Sequence, residues 1–183
     1  MATPQRKKFL FLTNSEHGQA NVLFATIYEL VLRGFEIHVA SFEPLRSRVT
    51  EFQLGIERMG LGHHDCQITF HVIPGISMAD KWKQKGIKMF HRPGVGGAIG
   101  AYSNILEVMA PWSVDEYAET YLFCVNLIES IKPDLNLVDS LFSPALDACS
   151  KFPGTYAIFN AISHSNIITL KQPKWDIVFR YSP

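Results

Sequence analysis

Two side chains of complementary chemistry follow two apolar runs in this chain. Residues 8–13 (Lys-Phe-Leu-Phe-Leu-Thr) form a run of strand length that stops at a polar turn, Asn14-Ser15-Glu16-His17-Gly18-Gln19. Residues 135–138 (Leu-Asn-Leu-Val) form another, and Asp139 follows directly. A carboxylate beside an imidazole fixes its tautomer and stabilises the imidazolium after proton uptake, which is the chemistry needed to activate a hydroxyl as a nucleophile. Spacing alone leaves the blander reading open, because a histidine in a turn is more often a solvated surface residue.

Other features invite chemistry and support less of it. Gly94-Val95-Gly96-Gly97-Ala98-Ile99-Gly100 looks like a dinucleotide fingerprint, but its third glycine comes one place late and no strand precedes it. It reads as a flexible loop running into a closely packed helix. His63-His64-Asp65-Cys66 places four potential ligands side by side, and adjacent residues cannot all turn to one ion, so a polar loop is expected and no metal. Trp82, Phe90, Tyr102, Met109 and Trp112 could line a pocket for an apolar acceptor or fill a core. Gly18, Phe142 and His164 complete the candidate ligand-binding residues, beside Trp82, Phe90 and Tyr102.

The elements that must position these residues alternate. Apolar side chains recur at spacings of three and four from Ala20, through Leu23, Phe24, Ile27 and Leu30, to Val31, so residues 20–33 read as a helix closed by Gly34. Residues 35–41 form a second strand, giving a βαβ unit in about 35 residues. Residues 44–59 read as a helix, 67–73 as a strand, and 74–93 as loop plus short helix. Residues 99–109 and 113–131 read as helices, 142–151 as a further helix, and 156–159 as a fifth strand. This alternation predicts one α/β domain over residues 1–183, Rossmann-like and doubly wound, with a mainly parallel sheet covered by helices on both faces. In such a sheet the ligand site lies beyond the carboxyl ends of the strands, where both His17 and Asp139 fall.

Composition narrows the partners. Seventeen basic and seventeen acidic residues give no net charge, and the short run Arg6-Lys7-Lys8 is no electrostatic footprint for nucleic acid. No stretch approaches the roughly 20 apolar residues that span a membrane. No signal peptide is recognisable at the start. Cys66, Cys124 and Cys149 are few and widely spaced, so they read as reduced thiols of a cytoplasmic protein.

Residues 9–22 (Phe-Leu-Phe-Leu-Thr-Asn-Ser-Glu-His-Gly-Gln-Ala-Asn-Val), followed by 33–41 (Arg-Gly-Phe-Glu-Ile-His-Val-Ala-Ser), resemble the opening of the UDP-glycosyltransferases, and most of all their fungal members. Residues 133–139 (Pro-Asp-Leu-Asn-Leu-Val-Asp) resemble the family's second marker, a strand ending in an aspartate. Residues 70–75 and 175–181 are similar to fungal members as well. The resemblance covers nearly the whole chain. It implies the N-terminal half of a GT-B fold, in which two Rossmann-like domains face each other across a cleft. That half holds the acceptor and a histidine–aspartate dyad, while a C-terminal domain, absent from this chain, binds the nucleotide sugar.

The same resemblance implies an inverting transfer of a hexose from a UDP-sugar to a small lipophilic acceptor such as a sterol, phenol or polyketide. Neither a metal nor a cofactor is implied. The family's base is the histidine of a Gly-His pair, fifteen residues before the glycine that ends the first helix. Counting back from Gly34 reaches Gln19, an amide that cannot act as a base at neutral pH. His17 is the nearest available imidazole, and Asp139 matches the dyad aspartate. The competing expectation is a non-catalytic acceptor-binding half acting in trans with a donor-binding partner. A dehydrogenase-like nucleotide binder is a third reading, disfavoured because no glycine fingerprint follows the first strand. The chain by itself is expected to be inactive.

Overall fold

The computed structural model describes residues 6–60, 68–87, 94–103 and 105–160, with the side chains of His17, Gln19, Ala98, 101–103, 105 and 106 excepted. Phe90, His164 and the cluster 63–66 lie outside the described residues, as does the side chain of Tyr102.

Five strands form one parallel sheet: β1 (Lys8–Leu12), β2 (Glu36–Ser41), β3 (Ile68–Val72), β4 (Leu135–Asp139) and β5 (Tyr156–Phe159). Their order is β3-β2-β1-β4-β5, so the chain winds outward in one direction from β1 and returns to start again on its other side at β4. Register pairs Leu12 with Ala40 on one flank and with Val138 on the other. The expected doubly wound α/β fold is present.

Helices cover both faces. Helix α1 (His17–Leu32) and helix α2 (Arg46–Arg58) bury Leu23, Ile27, Val31, Val49 and Ile56 against Phe11, Ile37 and Val39 of the sheet. Helix α3 (Met78–Lys85) leads into two short helices, α4 (Val95–Ser103) and α5 (Ile105–Met109). Helix α6 (Val114–Ile131) and helix α7 (Ser143–Ser150) pack on the opposite face, where Leu10, Leu12 and Val138 meet Cys124, Ile128, Ala145 and Cys149. The alternation of Leu10 and Leu12 against Phe11 is the period of two that feeds both cores. Cys124 and Cys149 are buried free thiols. Among the described residues no helix is long and apolar enough to cross a membrane.

Local chemistry explains most boundaries. Arg33 caps α1 and Gly34 takes the left-handed turn after it, with φ 78° and its N–H bonded to the Val31 carbonyl at 2.9 Å. Ser113 and Glu116 form a capping box at the start of α6. The glycine-rich stretch departs from expectation: it is helical from Val95, and Val95 and Ile99 stand 76% and 65% exposed, so this is no closely packed helix. Three glycines within nine residues each disfavour a helix by about 1 kcal/mol, which is why the sequence pattern pointed to a loop.

Candidate functional site

Strand order reverses between β1 and β4, and the crevice beyond their carboxyl ends is the fold's natural ligand position. Two loops border it: residues 13–16 after β1, and residues 140–142 after β4. Both belong to the interior as well as to the edge. Thr13, Asn14, Ser15 and Asp139 are all buried, Asp139 with only 3% of its surface exposed.

Asp139 ties the loops together. Its Oδ1 accepts from the Leu141 N–H at 2.9 Å and its Oδ2 from the Thr13 hydroxyl at 3.3 Å. The Asn14 N–H also donates to this carboxylate. Asn14 crosses in the other direction, its Nδ2 donating to the Leu141 carbonyl at 3.3 Å. That bond fixes which way the amide points and leaves Asn14 Oδ1 buried with no donor among the described residues. Burial pushes the Asp139 carboxyl above the usual carboxylate range, and its three donors pull it partly back.

Glu16 is the N-cap residue of α1, but its side chain makes no bond to its own helix. It turns instead to α3, where its Oε1 accepts from the Ala79 N–H at 3.0 Å. Burial raises its pKa first, with the nearby charges of Asp80 and Asp139 adding to the shift, while the Ala79 bond and Lys83 oppose it. Two carboxylates with raised pKa values therefore stand at one sheet edge, which makes it a candidate functional site.

A wall of aromatic residues rises beside this edge. The Trp82 indole N–H donates to the Val108 carbonyl at 2.9 Å, and the Trp112 indole N–H donates to the Ile76 carbonyl at 2.9 Å. Lys81 of α3 meets Glu116 of α6 at 2.6 Å. Phe142 packs against Phe42 and Trp112, with ring centroids 5.7 and 6.1 Å apart, and is fully buried. Its side chain shapes the wall from beneath and presents no surface to a ligand.

Of the residues expected at the site, Asp139 lies at the carboxyl end of β4, bordering the crevice. His17, Gly18 and Gln19 form the first turn of α1 at the same sheet edge, Gly18 being exposed with open space where a Cβ would stand. Trp82 is half-buried on α3, and Tyr102 lies on α4. Thr13, Asn14 and Glu16 were not among the expected residues. The only signal for them was polarity directly after a buried strand. Among the described residues no group of three or more His, Cys, Asp or Glu side chains could hold a metal ion.

No family model matches the chain. It is 28% identical over 185 residues to glycosyltransferase sdnJ of Sordaria araneosa, an alignment covering 97% of this chain and 36% of that protein. It is 25% identical over 150 residues to erythritol-mannosyl-transferase 1 of Pseudozyma antarctica, covering 78% and 22% respectively. The chain thus spans about a third or less of the curated relatives it matches. Among solved structures, glycosyltransferase VinC in complex with dTDP superposes with a TM-score of 0.54 at 12% identity, covering 93% of this chain and 40% of that one. The chain is a homologue of glycosyltransferases, and its five-stranded parallel sheet is the Rossmann-like fold found in GT-B members of that class.

Proposed function

We propose that this chain is the acceptor-side half of a cytoplasmic, inverting glycosyltransferase that moves a hexose from a UDP-sugar to a hydroxyl of a small lipophilic molecule. The observation that carries the reading is Asp139: a buried carboxylate at the strand-order reversal, positioned by Thr13, Asn14 and Leu141 beside the turn that bears His17. The kinship to sdnJ across nearly the whole chain supports the same class of reaction. The donor sugar nucleotide is held by a C-terminal domain or a partner chain, and neither a metal nor a cofactor takes part. In this reading the acceptor hydroxyl loses its proton to the His17 imidazole as its oxygen attacks the anomeric carbon. The bond to the diphosphate breaks and the nucleotide leaves. Asp139 holds the imidazolium, and Gln19 hydrogen-bonds acceptor or sugar. Trp82, Phe90, Tyr102, His164 and Gly18 are the residues proposed to bind the acceptor.

The test requires the complete two-domain protein. General-base catalysis contributes about 10²–10⁴-fold. His17→Ala and Asp139→Asn should each lose about that much kcat, and the double variant should lose little more, because the pair acts as a unit. Gln19→Ala should appear mainly in KM. If His17→Ala stays within about threefold while Gln19→His raises kcat, the dyad is wrong and the base position is the one Gln19 occupies. A second reading, a non-catalytic acceptor-binding half acting in trans, is favoured by that same glutamine. Acceptor binding by the complete protein without turnover on any UDP- or dTDP-sugar would select it.

A further inference from the structure

Helix α3 buries Met78 in the core and is also fastened by polar bonds. Two of them, from Trp82 to Val108 and Lys81 to Glu116, tie it to the segment that runs through α5 into α6, and a third, from Trp112 to Ile76, ties the residues just before it. Its own first turn is closed by Ser77, whose hydroxyl oxygen accepts from the Asp80 N–H at 3.2 Å. Among the described side-chain hydrogen bonds, the bond from the Ala79 N–H to Glu16 is the one that joins this unit to the turn after β1. The two residues lie 63 positions apart, so the bond is tertiary. An N-cap residue ordinarily spends its side chain on its own helix. Here Glu16 is turned away from α1.

We infer that Glu16 is a positioning residue: its carboxylate docks the first turn of α3 onto the turn after β1, and so sets the gap between Trp82's helix and the crevice bordered by Asp139. For its consequence in turnover this rests on the glycosyltransferase reading. The docking bond itself does not. A carboxylate makes a stronger bond to a helix N-terminus than a neutral amide, and the first turn of α3 offers it unpaired N–H groups. The groups facing Glu16 are Asp80 and Lys83 of α3 and Asp139 at the end of β4, two acids and one base. Burial and the two acids raise its pKa above the usual glutamate range, so the charge on this bond is lost at a higher pH than an exposed glutamate would lose it.

Amide exchange and NMR titration of the chain itself test the bond. The Ala79 N–H is expected to exchange about tenfold or more faster in Glu16→Ala, and Glu16→Gln, which keeps an acceptor oxygen, is expected to restore most of the protection. In the unaltered chain the Ala79 amide shift should titrate with a midpoint above the ordinary glutamate value, and in Glu16→Gln that inflection should vanish. Unchanged Ala79 exchange in Glu16→Ala overturns the inference, as does the same inflection persisting in Glu16→Gln, which also decides the matter should the alanine variant not fold. In the complete transferase, Glu16→Ala should raise acceptor KM by about tenfold, leave kcat within about threefold, and be rescued by glutamine. A loss confined to kcat makes Glu16 a chemical group and overturns the positioning role. Absence of turnover in the unaltered enzyme counts against the glycosyltransferase reading alone, because the exchange data still decide the docking bond.

Discussion

The two edges of the sheet treat charge in opposite ways. At the amino edge, the Lys8 N–H donates to Asp134 Oδ2 at 2.8 Å and the Lys8 ammonium meets Glu36 at 3.5 Å, all at positions that water reaches. At the carboxyl edge, Asp139 is almost wholly buried and Glu16 is half-buried, both with raised pKa values. A surface ion pair contributes little because it gives up little. A carboxylate withdrawn from water costs stability unless donors compensate, and Glu16 has one described donor, the Ala79 N–H. The difference teaches where to look for function. One edge leaves its charges to water, and the other draws two carboxylates wholly or partly out of it.

Three stability measurements bear on this contrast, ordered by expected effect. Asp139→Leu removes the acceptor of three buried donors and should cost about 3 kcal/mol or more, read as a lower urea midpoint. A cost below about 1 kcal/mol would break the comparison, since the carboxyl-edge loops would then be held by something else. Glu16→Gln should act in the opposite direction. The folded pKa of Glu16 lies above its unfolded value, so its contribution to stability is complete below the unfolded pKa and is lost as pH rises through the folded one. The glutamine variant should therefore gain on the unaltered chain near neutral pH, by no more than about 1 kcal/mol given solvent screening, and the gain should fade toward pH 4. Unfolding curves at both pH values decide it, and a neutral-pH loss would show that the charge stabilises. Asp134→Ala should change stability by no more than about 0.5 kcal/mol. A larger loss there would place the two edges on the same footing.

Periodicity carried most of the fold. Residues 156–159 emerged as β5 where the apolar run predicted a strand, and the alternation of strands with 3.6-period helices was enough for the doubly wound sheet. The glycine-rich stretch was misjudged because propensity is a local quantity, whereas Val95–Ser103 is set by its context. At the site, Asp139 was legible because it ends an apolar strand, and the turn after β1 was legible for the same reason. Its fastening was not. Thr13 and Asp139 are 126 positions apart, and Glu16 and Ala79 are 63 apart, so no window along the chain contains both partners. Phe142 was legible as a large aromatic next to the site. That it faces the core follows only from Phe42 and Trp112 arriving from elsewhere in the chain.

The two tryptophan bonds have a consequence for how this wall opens. Each indole reaches across to the other's neighbourhood: Trp82 holds the carbonyl of Val108, four residues before Trp112, and Trp112 holds that of Ile76, six residues before Trp82. Segments 76–82 and 108–112 are joined by these two hydrogen bonds, so parting them means breaking both. Both indoles change surroundings in that event. The protein carries its own optical gauge on the helix that faces the crevice.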